Sequence, residues 1–226
     1  MTLQRNLMPE GTAHAINVEA DGRYLPATRG VHVGGDWYDI VDRPDGAVAF
    51  AVGDIAGHGL QAAAAMGQVR SAWRALALSM TQPSTILASL DRFATGVDGA
   101  FFSTILTMLL DPSSGELRYA SAGHPPALVL EPDGSTRFLE GGRSVPLGLP
   151  FDLPRPQATE RLSSGAVLVA TNRDPIYPTT IVGYPPQEDY FMGKATERIF
   201  LPALRTMIHD IIDYHLPMFG AFHNCA

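Results

Sequence analysis

Apolar and polar residues alternate in short blocks along most of this chain, and tight turns separate the blocks. The apolar run at residues 48–52 follows a Pro-Asp-Gly turn, which favours an antiparallel hairpin with the segment before it. Two further hairpins are predicted at 101–122 and 127–139, because apolar runs again flank a turn with Asp and Gly. Weak alternation at 16–26 predicts a first strand, and the apolar run at 166–170 predicts a last one.

Helical periodicity marks two stretches between the first and second hairpins. Apolar residues recur in steps of three and four after Leu60, which predicts a helix with one buried stripe: Met66, Val69, Trp73, Leu76 and Met80. A second helix is predicted from Ser84, as its N-cap, to a stop near Gly96. Its apolar residues are Leu87, Leu90 and Phe93. Hairpins flanked by two helices predict an α+β layered sandwich and not alternating βαβ units.

The stretch at residues 34–59 carries the candidate chemistry, and it reads GGDWYDIVDRPDGAVAFAVGDIAGHG. Asp36 and Asp54 lie at the two ends of the first hairpin, so we expect them to meet at its open end. Two adjacent carboxylates repel each other unless a cation lies between them, and a hard divalent ion with oxygen ligands is the usual solution. Asp and Gly are also ordinary turn residues, so the spacing alone leaves a plain turn as the alternative.

The order of residues in this stretch is more specific than the spacing of its aspartates. GGDWYD at 34–39 followed by VGDIAGHG at 52–59 resembles the SpoIIE/RsbU branch of the metal-dependent (PPM-type) serine/threonine phosphatases. The resemblance extends over about residues 3–170, and it includes LQRNLMP near the start and SAGHPP at 121–126. It implies a PPM-phosphatase-like layered sandwich, in which helices lie on stacked antiparallel sheets.

The resemblance also implies a metal centre with Mn²⁺ or Mg²⁺, and two such ions in the family. By the family pattern, Asp36 and Asp54 would bridge the ions, and the backbone carbonyl of Ile55 would be a further ligand. His58 lies in the same loop as Asp54 and is a candidate to assist the chemistry there. His124 lies in a Gly-His-Pro-Pro turn, where a ring hydrogen-bonded to the backbone is the commoner outcome. Neither histidine has the spacing of a histidine metal site.

The chain departs from the family pattern after the last predicted strand. The resemblance implies a Thr-Asp-Gly turn whose Asp is a metal ligand, but residues 171–175 read TNRDP. The expected third ligand position therefore holds Asn172, a neutral amide that contributes much less to a divalent ion than a carboxylate does. Asp174 comes two places late and precedes a proline. The resemblance also implies a further Asp from a later segment near the end of the domain. The sequence lacks that motif, so the domain is expected to be C-terminally incomplete.

The last part of the chain resembles a different family. Residues 173–226 resemble an internal fragment of the UbiD-type decarboxylases, enzymes that use a prenylated flavin. An amphipathic helix is predicted at 188–207 with a break at Pro202, which makes this a non-matching helical tail. The expected division, as a fusion, is a signalling-helix remnant at 1–11, a truncated PPM-type phosphatase-like domain at 12–171 and a UbiD-like fragment at 172–226.

Composition and charge limit the classes of partner and the cellular location that can be expected for this chain. The chain has 16 basic and 23 acidic residues, a net charge of −7, and no basic run, which argues against nucleic acid and anionic membranes as partners. The single cysteine, Cys225, suits a reducing cytoplasm. No apolar run approaches the ~20 residues of a membrane span, so a cytoplasmic location is expected.

Three functional hypotheses remain open from the sequence. The resemblance implies a phosphatase that dephosphorylates a regulatory protein, such as an anti-sigma factor antagonist, under the control of a separate sensor protein. The neutral residue at 172 favours an impaired enzyme, and its alternative is a non-catalytic phosphatase-like remnant or binding module. A weaker alternative makes the tail the functional part, as a fragment of a UbiD-type prenylated-flavin decarboxylase.

Overall fold

The computed structural model describes residues 18–22, 35–57, 59–149, 154–172 and 180–183. The predictions for the signalling-helix remnant, for His58, for Asp174 and for the helix at 188–207 lie outside these residues, as does nearly all of the UbiD-like fragment. Neither helix within these ranges has the length and apolarity that a membrane span requires.

Eleven strands and two helices lie in the described part of the chain. The strands are β1 (Glu19–Gly22), β2 (Trp37–Asp42), β3 (Val48–Asp54), β4 (Thr104–Asp111), β5 (Glu116–Ala122), β6 (Leu128–Leu130), β7 (Thr136–Phe138), β8 (Arg143–Ser144), β9 (Ala158–Arg161), β10 (Val167–Ala170) and β11 (Thr180–Gly183). The helices are α1 (Leu60–Ser79) and α2 (Pro83–Ala94), both between β3 and β4. The three predicted hairpins, β2–β3, β4–β5 and β6–β7, and both predicted helices are confirmed.

The strands form two sheets. The six-stranded sheet has the order β2-β3-β4-β5-β8, with β9 also paired to β5, and the β5–β8 pair is parallel. The five-stranded sheet has the order β1-β11-β10-β6-β7, and all of its neighbours are antiparallel. The sequence does not predict β8, β9 or β11. The last of these comes from the segment for which the sequence predicts a separate tail, and it pairs with both β10 and β1.

Two apolar cores cover the two faces of the six-stranded sheet. On β3, Phe50 and Val52 face the core between the sheets, whereas Ala49 and Ala51 face the core under the helices. The buried stripe of α1, which includes Trp73, packs into this second core. The layers are therefore helices, six-stranded sheet and five-stranded sheet. This is the α+β layered sandwich that the sequence predicts.

Two details of α2 differ from the sequence prediction. The N-cap residue is Gln82 and not Ser84, because Pro83 occupies the first helical position, where its fixed φ suits the start of a helix. The Ser84 hydroxyl donates instead to Oε1 of Gln157 at 2.9 Å. Phe93 is 40% exposed, so it lies at the edge of the apolar face of α2 and not within the core.

Charged side chains fasten α1 to the six-stranded sheet at two levels. Asp39 on β2 is fully buried, and its carboxylate accepts hydrogen bonds from Arg70 at 3.1 Å and from Arg74 at 2.6 Å, both on α1. At the end of the helix, Arg43 donates to backbone carbonyls of the last turn, including that of Met80 at 2.7 Å. The last carbonyls of a helix have no partner within it, so a cation there stabilises the end of the helix. These contacts fix α1 relative to β2.

Replacement of Asp39 by alanine is expected to lower the free energy of unfolding by about 3 kcal/mol, since the largely buried Arg70 would lose its counter-charge. The matched control is Glu160→Ala, because Glu160 and its partner Arg137 are both partly exposed and the loss of this pair should cost about 1 kcal/mol or less. Urea unfolding of both variants measures the difference. Equal losses in the two variants would contradict a structural role for the buried ion pair.

Candidate metal site

The two predicted carboxylates lie opposite each other at the open end of the β2–β3 hairpin. Trp37 pairs with Gly53, so the same register sets Asp36 opposite Asp54. One position further, the Ile55 N–H donates to the Gly35 carbonyl at 3.1 Å. Asp36 and Asp54 are therefore a non-hydrogen-bonded pair, the kind in which opposed side chains come closest. The backbone brings the two aspartates together; that they hold a metal ion stays a prediction.

Two glycines of the motif leave room for neighbouring groups. The carbonyl oxygen of Ile55 lies against Gly35, and a Cβ on that glycine would overlap it. A Cβ on Gly53 would lie 2.6 Å from the indole ring of Trp37. A side chain at position 35 would therefore displace the backbone of Ile55, and one at position 53 would displace the Trp37 indole.

The aspartates face the gap between the two sheets. Tyr38 and Val52, each two residues from one of them along its strand, point into the core between the sheets, and side chains of a strand alternate in direction. Thr104 on β4 is paired with Asp54 and belongs to the same row. Both aspartates are partly exposed. The site is therefore the edge at which the core between the sheets reaches the solvent.

Asn172 lies beside this row, although it comes from the other sheet. It follows β10 by two residues and is buried, and its Nδ2 donates to the Gly53 carbonyl at 3.1 Å. The contact places residue 172 next to Asp54, where the sequence resemblance implies a third ligand. The side chain that stands there is neutral and donates to the backbone.

His124 links both sheets at the same edge. Its ring is buried, with Nδ1 3.0 Å from the Thr104 hydroxyl and Nε2 3.0 Å from the Thr171 carbonyl. A carbonyl only accepts, so Nε2 carries the proton and Nδ1 accepts from Thr104. Burial lowers the pKa of the imidazole to about 4, against an opposing effect of the hydrogen bond to Thr171, so the ring is neutral at pH 7. The predicted hydrogen bond to the backbone is present.

Sequence reasoning missed Thr104 and Thr171 as parts of this edge. Thr104 is a polar residue at the start of an otherwise apolar strand, and that position is the one signal that could have indicated it. Thr171 contributes only its backbone carbonyl, for which no side-chain signal exists.

The donor set suits one hard cation better than two. Among the described residues, no three His, Cys, Asp or Glu side chains lie close enough together to hold a metal ion. The edge offers two carboxylates, with the Ile55 carbonyl beside them, and Mg²⁺-like ions bind in proteins through one or two carboxylates plus waters. These residues fit a single ion completed by water, whereas a second ion lacks carboxylates within the described part of the chain.

Comparison with known families decides the identity of this domain. The model of the family described as Stage II sporulation protein E (SpoIIE) matches residues 44–171, more than half of the chain. The chain belongs to the SpoIIE family. The match contains β3, both helices and the strands up to β10, together with Asp54 and His124.

The individual relatives that resemble this SpoIIE-family chain do so over only part of their own length. Phosphoserine phosphatase RsbU of Bacillus subtilis is 25% identical over 180 residues, which are 79% of this chain and 53% of RsbU. A stretch of 56 residues is 57% identical to an uncharacterized protein of Aquifex aeolicus, and it spans 25% of this chain but 12% of that protein. The chain thus spans about half the length of RsbU and a small part of the Aquifex protein.

Solved structures share the fold. The RsbU and RsbW domains of a Mycobacterium tuberculosis protein superpose with a TM-score of 0.65 and 34% identity, over 70% of this chain and 45% of that one. The PP2C phosphatase domain of SpoIIE from Bacillus subtilis gives a TM-score of 0.63 at 16% identity, over 85% and 52%. The predicted PPM-type sandwich is confirmed. The comparisons give no support to the predicted likeness of residues 173–226 to UbiD-type decarboxylases.

The stability of the domain is expected to fall with acid because of His124. Its pKa is about 4 in the folded chain and about 6.5 when unfolded, so the unfolded state binds the extra proton between these values. The contribution is complete above pH 6.5 and decreases as the pH falls towards 4, by up to about 3 kcal/mol. Urea unfolding from pH 4 to 7, beside His124→Gln, measures it. A slope that persists unchanged in the glutamine variant would assign the effect to other groups.

Proposed function

We propose that this chain is a metal-dependent phosphoprotein phosphatase domain whose site holds one divalent cation firmly and a second one poorly, so that its turnover is weak. The observation that supports this most directly is the backbone register, which sets Asp36 opposite Asp54, together with the neutral Asn172 beside them. Membership of the SpoIIE family supplies the reaction class, the hydrolysis of a phosphoserine or phosphothreonine.

Asp36, Asp54 and the Ile55 carbonyl are the groups that would hold the cation. A bound Mn²⁺ or Mg²⁺ would supply positive charge for a phosphoryl group and would activate water. RsbX, a protein of the same fold, has been solved in complex with magnesium, which supports the choice of a hard cation. The apolar core behind the aspartates closes the site on its inner side, so a phosphoprotein would approach from the exposed edge.

The proposed substrate is a phosphorylated regulatory protein, such as an anti-sigma factor antagonist. RsbU is named a phosphoserine phosphatase, and one structure of this fold belongs to work on the bacterial stressosome, a signalling system. A separate sensor protein as regulator and a cytoplasmic location complete the proposal. The net charge of −7 supports a protein partner over nucleic acid.

A non-catalytic phosphatase-like module is the second candidate, and Asn172 is the observation that favours it. A two-metal mechanism needs ligands for both ions, and an amide that donates to the Gly53 carbonyl is a poor replacement for a carboxylate. The decarboxylase alternative has no observation in its favour.

Replacement of Asp54 by asparagine is expected to abolish Mn²⁺ binding, measured by isothermal titration calorimetry, and any Mn²⁺-dependent hydrolysis of a phosphoserine peptide. The carboxylate supplies about half of the anionic charge that attracts the ion. Asp133→Asn is the matched control, because Asp133 lies in an exposed turn on the β6–β7 hairpin. Binding without turnover in the wild type would favour the non-catalytic module, and binding that survives Asp54→Asn would overturn the proposed site.

Replacement of Asn172 by aspartate is expected to raise the Mn²⁺ affinity roughly tenfold or more, since a third carboxylate would face the ion. The same change should lower the stability of the metal-free protein by about 1 kcal/mol or more, because the hydrogen bond to Gly53 is lost and a third negative charge joins the pair. Thermal unfolding with and without Mn²⁺ tests both effects. An unchanged affinity would mean that residue 172 does not contribute to the ion.

A further inference from the structure

His124 occupies a crossing point between the two sheets. It follows β5 of the six-stranded sheet by two residues, and it contacts Thr104 in that sheet and Thr171 just after β10 of the other. Thr104 is paired with Asp54, and Thr171 precedes Asn172. Both ends of the His124 link therefore border the candidate metal site.

The ring is held in one orientation and one tautomer. Since the Thr171 carbonyl can only accept, Nε2 donates to it, and Nδ1 is then the acceptor for the Thr104 hydroxyl. The backbone of His124 is fixed as well, because the Ser121 hydroxyl accepts from its N–H at 3.2 Å and donates to its carbonyl at 2.9 Å. A rotation of the ring would break both side-chain hydrogen bonds and leave buried polar atoms without partners.

We propose that His124 is a positioning residue for the metal site. It holds the Thr171–Asn172 segment of one sheet against Gly53 and Asp54 of the other, and so sets the distance from residue 172 to the aspartate pair. The hydrogen bond from Asn172 to the Gly53 carbonyl is the contact that this arrangement maintains. The inference rests on the proposed function, because the site that it positions is the proposed cation site.

Two threonines of β4 provide a matched test in the full chain. Thr104 donates to His124, whereas Thr107 accepts a hydrogen bond of 2.9 Å from the Trp73 indole on the opposite face of the strand. Thr104→Val is expected to weaken Mn²⁺ binding about fivefold, the effect of one lost hydrogen bond, while Thr107→Val should change it less than about twofold. Isothermal titration with Mn²⁺ measures both. Equal weakening in the two variants would overturn the proposal, because each change removes one side-chain hydrogen bond of β4.

A conservative variant separates positioning from general stability. Glutamine at position 124 can still donate to the Thr171 carbonyl, so His124→Gln is expected to retain most of the Mn²⁺ affinity that His124→Ala loses. If the two variants bind Mn²⁺ equally, the link to Thr171 does not position the site.

A metal-free readout keeps this inference distinct from the proposed function. Solvent exchange of the Asn172 side-chain amide, followed by NMR, is expected to be slow in the wild type and in Thr107→Val, and faster in Thr104→Val and His124→Ala. If the wild type binds no Mn²⁺, the proposed function fails, and this exchange alone decides whether His124 holds the segment. If Thr104→Val and His124→Ala leave the amide exchange of Asn172 unchanged, the inference is overturned. If the wild type binds Mn²⁺, and the two variants exchange faster but bind Mn²⁺ as tightly as the wild type, the inference is overturned as well.

Discussion

The placement of Asp36 opposite Asp54 is the constraint on which the proposed metal site of this domain depends. The β2–β3 register sets them at a position where opposed side chains come closest, on the face between the two sheets. Two ionised carboxylates at that distance raise the free energy of the folded chain unless positive charge or solvent compensates them. Gly35 allows the Ile55 backbone to approach closely at this end of the hairpin, and Gly53 leaves room for the Trp37 indole.

Contacts away from the edge keep this arrangement in place. The buried ion pairs of Asp39 with two arginines hold α1 against β2. Arg43, which directly follows β2, holds the far end of the same helix. The loop that follows Asp54 leads directly into α1 and is therefore anchored at both of its ends. His124 and Asn172 add directional polar contacts between the sheets to the non-directional apolar packing of the core.

The periodicity of apolar residues and the turn residues predict the three hairpins and the two helices, because these elements form between residues close in sequence. The alternation around the Pro-Asp-Gly turn was enough to predict the β2–β3 hairpin and the meeting of Asp36 with Asp54. Short strands such as β8, with two residues, carry too little periodicity to be recognised. The hydrogen bond of Asn172 joins residues 119 positions apart on different sheets, and nothing in either segment encodes that contact. Only the resemblance to a family indicates position 172. That resemblance ends before residues 180–183, so the sequence does not predict the strand there.

If the proposed metal site is correct, the neutral residue at position 172 has opposite effects on its metal-bound and metal-free states. With a cation bound, a third carboxylate would add attraction, so the amide makes the loaded state less stable. Without a cation, a third carboxylate would add repulsion to the Asp36–Asp54 pair and could not donate to the Gly53 carbonyl as the amide does. In the proposed site, Asn172 would therefore favour the metal-free state. Its hydrogen bond also joins the two sheets beside the aspartates, so the chain keeps the architecture of its family without a third carboxylate at this position.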